Sequence, residues 1–390
     1  MSAVTESAVT GSAAAVRTAA GLAPPAPDAA VPPVLSGERA GRLDCVQSNL
    51  AQLADDLHGD DAHLALGAVP RFRPRPGPHG LPTVEPALED QLAATAPAGL
   101  AGTARWAGVQ TAELAGLART HGRLYVVADS FAMPWLPYHG RRHMEHSYLV
   151  APHGDRALVV DAYASHTPWG VAAPGRWVTD WSVLPASSLV VRFDAVPAGP
   201  VEPGPGDFGG AEEYVAAYAA HPDRAAALEQ LTTETWLLAR SRALHVAFLA
   251  TRGPVGDPVT AHVLRLARLA EQAFLAHRRV QRARPEPAGL LPAVAAALHA
   301  DRELFDTPDP VLAAVTEVVA EVVGVPAEKV REAPSLSELR GFGSFQVVEV
   351  VEALEERFDV EFDPDDLLPE TLHRLDGLRT LVAAAGGTAG

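Results

Sequence analysis

Apolar residues recur at helical spacing in some parts of the chain and form strand-like runs in others. Val46, Leu50, Leu53, Ala54 and Leu57 fall at i, i+4, i+7, i+8 and i+11, the pattern of an amphipathic helix. Asp44 is a suitable N-cap for it and puts Cys45 in the first turn. Residues 109–121 read as a helix and 123–128 as a buried strand. Residues 146–163 read as two strands joined by a tight turn centred on His153-Gly154, and 177–196 supply more strand. A Pro/Gly linker at 197–210 leads to four helices, 211–220, 223–251, 257–284 and 290–304, with Trp236, His245 and Phe248 on their faces. Near the end of the chain Val347, Val348, Val351, Leu354 and Phe358 predict a helix that starts at Ser344, with Glu349, Glu352, Glu355 and Glu356 mostly on its other face.

The strand pattern brings in the first candidate chemistry. A turn centred on His153-Gly154 sets His146 opposite Asp161. Cβ atoms of such a pair lie about 4.5–5.5 Å apart. The carboxylate then orients the ring and stabilises imidazolium, as a catalytic histidine requires. The same spacing also fits an ordinary polar pair on a wet face, and a slip of one residue removes it. A helix N-terminus lowers the pKa of a thiol such as Cys45, although Asp44 works against that; the competing reading is an inert buried cysteine. Ser344 follows the Gly-rich turn Gly341-Phe342-Gly343, where a hydroxyl at a helix start suits either a phosphate ester or a simple N-cap. Residues 70–76 form a Pro/Arg-rich loop or edge strand that fits a phosphate, an acidic partner or plain solvent. Residues 129–138 form an aromatic loop that either lines a substrate channel or packs over the core. His245 reads mainly as a satisfied core histidine.

Composition narrows the picture. A chain of 390 residues with 48% apolar residues holds two or three globular domains. The net charge of −17 is uneven: from Asp306 onward 18 acidic residues face 6 basic ones, a net of −12. That end is expected to dock on basic partner surfaces, and nothing suggests nucleic-acid binding. One cysteine excludes an internal disulfide framework. No run of 18 apolar residues predicts a transmembrane helix. Residues 1–33, rich in Ala, Ser, Thr and Pro, read as a disordered leader without a secretory pattern, so the expected location is the cytoplasm. No metal-ligand cluster, phosphate-binding loop or dinucleotide fingerprint is visible.

Two resemblances follow from these motifs. Residues 308–385 resemble an acyl or peptidyl carrier protein: a helix at 310–323, the loop Pro334-Ser335-Leu336-Ser337-Glu338-Leu339, then Gly341-Phe342-Gly343-Ser344-Phe345, the helix ending in Phe358 and two further helices at 364–368 and 375–385. The resemblance implies a 4′-phosphopantetheine arm on Ser344, although Gly343 stands where the family usually has Asp. Residues 41–193, with Asp44-Cys45, Asp129, Pro134, Tyr138, His146 and Asp161, are similar to the butirosin biosynthesis protein H family and more distantly to papain-like peptidases. The fold this implies is α+β: a papain-like domain at 34–197, a helical domain at 206–305 and a four-helix carrier. The implied activity is acyl transfer from a carrier thioester to an amine, with Cys45 as nucleophile, His146 as base and acid, Asp161 as orienter, and Asp129, Tyr138 and Gln47 toward the substrate. Implied partners are a phosphopantetheinyl transferase, an activating ligase and the amine acceptor. Cyclisation, hydrolysis and a non-catalytic scaffold are the alternatives. Arg39 stands where papain-like enzymes place an oxyanion glutamine, which leaves the Cys45 N–H or Gln47 for that role.

Overall fold

A computed structural model describes residues 34–198, 201, 203–204, 206–305, 310–333 and 335–387. The expected leader at 1–33 therefore lies outside the described residues. The chain divides into two compact units, Met1–Arg302 and Glu303–Gly390.

In the first unit, helix α1 (Gln47–His58) precedes a six-stranded sheet. Its strands are β1 (Leu100–Val109), β2 (Leu124–Asp129), β3 (Glu145–His153), β4 (Arg156–Asp161), β5 (Gly175–Thr179) and β6 (Ser187–Ala195), and helix α2 (Thr111–His121) connects the first two. The order across the sheet is β5-β4-β3-β2-β6-β1, with every neighbouring pair antiparallel. β2 is an unbroken buried run from Leu124 to Ala128, as an inner strand covered on both faces should be. Both α1 and α2 pack on β3.

The β3–β4 hairpin differs from the sequence expectation. His153 pairs with Arg156 and Leu149 with Val160, so the turn is Gly154-Asp155. Gly154 has φ 59°, which the first central residue of such a turn needs; the expected turn had put it second. The register shifts by two residues. An even shift keeps each side chain on its face. Continuing the register sets Asp161 opposite Tyr148, on the same face as His146.

Helices α3 (Ala211–Ala220), α4 (Arg224–Ala250), α5 (Asp257–Val280) and α6 (Leu290–Phe305) follow. The residues expected as separate domains, 34–197 and 206 onward, belong to one compact unit as far as Arg302. Asp207–Phe208 pairs in parallel with Arg71–Phe72, and Phe72 and Leu81 enter the core formed by Tyr214, Tyr218, Leu228 and Leu231. Arg242 in mid-α4 is fully buried; its guanidinium bonds Asp301, which also holds His262 Nε2 at 2.9 Å, and donates to the Arg71 carbonyl at 3.0 Å. His245 bonds the Gly67 carbonyl at 2.7 Å and stays in the core.

The second unit contains α7 (Pro310–Val323), α8 (Ala327–Glu332), α9 (Ser344–Phe358), α10 (Pro369–Leu372) and α11 (Leu375–Ala384) around Val315, Val319, Val330, Val350, Leu354, Phe358 and Val382. Two details correct the sequence reading. α8 falls between the expected helix at 310–323 and the loop at 334–339, where no helix was expected, and the expected helix at 364–368 is a short 3-10 turn, Pro364–Asp366, before α10. The buried stripe of α9 is Val350, Leu354 and Phe358, whereas Val348 points outward and is 55% exposed. No helix among the described residues is long and apolar enough to cross a membrane.

Candidate active site

Cys45 lies in the turn that leads into α1, two residues before the first helical residue. The Asp44 carboxylate accepts the backbone N–H of Val46 at 2.8 Å and of Gln47 at 2.7 Å, while Gln47 Oε1 accepts the Asp44 N–H at 3.4 Å. This reciprocal cap fixes the turn and engages the Gln47 amide. The thiol is 7% exposed and sits 3.7 Å from the Glu145 carbonyl, the peptide just before His146.

On β3, His146 is fully buried and its Nε2 is 2.8 Å from Asp161 Oδ2. The Asp161 carboxylate also accepts the Trp135 indole N–H at 3.0 Å, the Asn49 amide at 3.3 Å and the Tyr163 N–H at 3.0 Å. With Nε2–H donated to Asp161, the other ring nitrogen keeps its lone pair. That atom, Nδ1, is buried and has no hydrogen-bond partner among the described residues. A buried polar atom left unsatisfied costs about 1–3 kcal/mol, which marks Nδ1 as waiting for a proton donor.

Asn49 joins the helix to the strands. Its Nδ2 reaches the Ser147 carbonyl and hydroxyl at 2.9 and 3.1 Å, its Oδ1 accepts the Ala162 N–H at 3.0 Å, and the Ser147 hydroxyl donates to the Cys45 carbonyl at 2.6 Å. The thiol, the imidazole and the carboxylate are thus held in one buried network. Sequence reasoning missed Asn49, Ser147 and Trp135. The available signal was a polar residue four positions after Cys45 on the apolar face of α1.

The electrostatics oppose a thiolate at rest. Burial pushes the Cys45 thiol well up, and the carboxylates of Asp44, Glu85 and Asp161 push it further. Burial likewise raises Asp44, against the hydrogen bonds of Gln47 and Val46 and the charge of Arg240. Arg240 comes from α4; it stacks over Trp236 at 4.2 Å and donates to the carbonyls of Leu43 and Ala164. Glu85 is exposed, and its carboxyl lies within electrostatic reach of those of Asp44 and Glu234. Desolvation first, and those charges second, push it up to about 7.

Other expected site residues fall into two groups. The Tyr138 hydroxyl is 3.2 Å from that of Tyr163, whose ring centroid is 5.1 Å from the His146 ring, so Tyr138 borders the site. Asp129 instead organises its own loop, bonding His143 at 2.5 Å and the N–H groups of Phe131 and Met144; these bonds outweigh desolvation and lower its pKa. The aromatic loop packs on the sheet through Trp135, stacked on Trp177. Arg39, which stands where papain-like enzymes place a glutamine, pairs with Asp55 at 2.5 Å. A cavity of about 660 Å³ adjoins the site, lined by Asp44, Gln47, Leu50, Arg71, Arg75 and Arg240 among others. Among the described residues no His, Cys, Asp or Glu cluster suits a metal ion.

In the second unit, Ser344 is the first residue of α9 and is exposed. Gly343 is the N-cap, its N–H bound by Gln346 Oε1 at 3.2 Å, and the Ser344 hydroxyl makes no hydrogen bond among the described residues. Ser344 therefore does not serve as the cap, and its hydroxyl is open to modification at a helix start that favours an anion. The chain matches no curated protein. Residues 313–378 match the phosphopantetheine attachment site family. Segments of this family carry 4′-phosphopantetheine covalently on a serine, require a phosphopantetheinyl transferase and serve biosynthetic pathways. The C-terminal part of this protein is a carrier domain of that kind.

Proposed function

We propose that the first unit is a cysteine acyltransferase, with Cys45, His146 and Asp161 as nucleophile, base and orienter, and that Ser344 is the modified serine. The observation that carries this reading is the buried imidazole held at Nε2 by Asp161 with Nδ1 unpartnered, on the strand that the Cys45 sulfur touches. The phosphopantetheine arm supplies the thiol on which a carrier domain presents an acyl group. Cys45 Sγ attacks an acyl thioester as His146 Nδ1 takes its proton; the new C–S bond replaces the old one, and the proton passes to the departing thiol. An amine then displaces Cys45 from the acyl carbon, with His146 again moving the proton. Asp161 keeps the ring in one tautomer and stabilises imidazolium. The raised thiol pKa means proton transfer accompanies attack. It also supports a second reading, a carrier-linked scaffold whose thiol stays inert.

The test follows amide formation from a loaded carrier and, separately, from a free acyl-pantetheine thioester. Cys45→Ala is expected to abolish both routes. Ser344→Ala is expected to abolish the first and leave a slower second route, because the free thioester lacks the effective concentration of a tether. Unchanged amide formation in Cys45→Ala would reject the assignment.

A further inference from the structure

The aromatic loop between β2 and β3 is closed on itself. The Ser130 N–H donates to the Met144 carbonyl at 2.9 Å, the Gly140 N–H to the Phe131 carbonyl at 2.9 Å, and the Ser130 hydroxyl to the Arg142 carbonyl at 3.0 Å. The Asp129 carboxylate accepts the N–H groups of Phe131 and Met144 at the same base. Ends tied in this way make a compact loop held by its own packing. Met133 and Leu136 anchor it in the core beside the sheet. Trp135, between them in sequence, has ring neighbours on two sides: Tyr148 edge-on at 5.2 Å and Trp177 stacked at 6.0 Å. Those contacts leave the indole N–H on Asp161. It donates at 3.0 Å to Oδ2, the same oxygen that holds His146 Nε2 at 2.8 Å. The other oxygen, Oδ1, accepts the Tyr163 N–H at 3.0 Å and the Asn49 amide at 3.3 Å. Asp161 is 1% exposed and Trp135 is half-buried, so the indole is the outer member of the group. A buried carboxylate needs donors, and each donor stabilises its charge. Trp135 is the donor that shares the imidazole's oxygen.

We infer that Trp135 is a positioning residue for the His146–Asp161 pair: its N–H fixes Asp161 Oδ2 on His146 Nε2 and, by sharing that oxygen, limits how strongly the carboxylate draws a second proton onto the ring. His146 Nδ1 then keeps the lone pair that takes the thiol proton. The loop serves the site through this one hydrogen bond and not by lining a channel. The inference concerns the pair itself; only its rate readout rests on the acyl-transfer reading of Cys45. Without the indole N–H the Asp161 charge is less well satisfied, imidazolium beside it is more stable, and the pair takes up a proton at higher pH. Other titratable and charged groups surround the pair. They are Asp44 and Cys45 from the turn before α1, Tyr125 on β2, Glu145 on β3 and Tyr163 after β4, with Arg240 of α4 6.0 Å from the Tyr163 ring. A substitution at Trp135 removes none of them.

The experiment compares Trp135→Phe with Trp177→Phe in the full chain. Each removes one indole from the same stack, but only the first removes a bond to Asp161. The readout is the rate at which an acyl-pantetheine thioester acylates Cys45 across pH, followed by peptide mass. In Trp135→Phe the acid limb of the profile is expected to move up by about one pH unit, the scale of one hydrogen bond to a charged group. The half-saturating thioester concentration is expected to stay unchanged. Trp177→Phe is expected to keep the wild-type limb. A fall by one factor at every pH, or the same shift in both variants, would make Trp135 a packing residue and overturn the inference. Should Trp135→Phe not fold, β-(3-benzothienyl)alanine at position 135 keeps the double ring, removes only the N–H and is held to the same outcomes. Nitrogen-15 spectra of the histidine-labelled chain, assigned with His146→Gln, separate the two failures. A wild-type Cys45 that takes no acyl group removes acyl transfer, yet the His146 ring must still gain its second proton at higher pH in Trp135→Phe than in the wild type. Rings that titrate alike in those two chains overturn the positioning role whatever Cys45 does.

Discussion

At Cys45 burial and three carboxylates keep the proton on sulfur, while Asp161 leaves His146 Nδ1 ready to receive it. Alkylation by iodoacetamide should therefore rise only above the free-cysteine value of about pH 8.5. Asp44→Asn retains a capping side chain and removes one negative charge, so its profile should move to lower pH. A wild-type profile below that of free cysteine would show a resting ion pair and contradict the electrostatic account. Asn49→Ala removes donors from Asp161 and Ser147 inside the core; a loss of about 1–3 kcal/mol in urea unfolding is expected. The His146–Asp161 contact was legible from strand spacing because even register shifts preserve faces. The rest of the network was not, because the contacts from Asn49 and Ser147 to the far strand and the turn span about a hundred residues of chain. Of the influences on the thiol, the helix terminus and Asp44 were visible in sequence, whereas Glu85 and the degree of burial were not.

Among the elements, α4 ties α6 to the strand at Arg71 through Arg242. Breaking a buried ion pair by removing one partner costs about 3–5 kcal/mol, and Arg242→Ala should lose stability on that scale by thermal or urea unfolding. A loss within the range of surface substitutions would mean that Asp301 is satisfied by His262 alone. Nothing in the sequence marks Arg242, because its partner lies 59 residues away. The four helices themselves were legible from periodicity; of the short strand pair, Arg71–Phe72 falls in the stretch read as a loop or edge strand, whereas Asp207–Phe208 falls in the expected linker and is too brief to carry a pattern. At α9 the backbone admits a side chain before the serine: a Cβ on Gly343 would meet only Gln346 Oε1, at 3.5 Å. Gly343→Asp should fold and accept the phosphopantetheine arm, whereas Ser344→Ala should accept none. An arm added to the alanine variant would move the attachment to another serine.

For the whole molecule, the carrier assignment rests on the helical pattern legible at 308–385 and on the family match over residues 313–378, while the first unit rests on its geometry alone. The unevenness was expected: a carrier domain is small, helical and locally patterned, whereas a thiol, an imidazole and a carboxylate become a site only when distant strands fold together. The central claim is that an acyl group passes through Cys45. The direct measurement is peptide mass after brief exposure of the full chain to an acyl-pantetheine thioester, without amine. The account predicts one acyl mass on the peptide containing Cys45, absent in Cys45→Ala and much slower to appear in His146→Ala. Acylation absent from Cys45 in the wild-type chain, while amide still forms when amine is added, would contradict it.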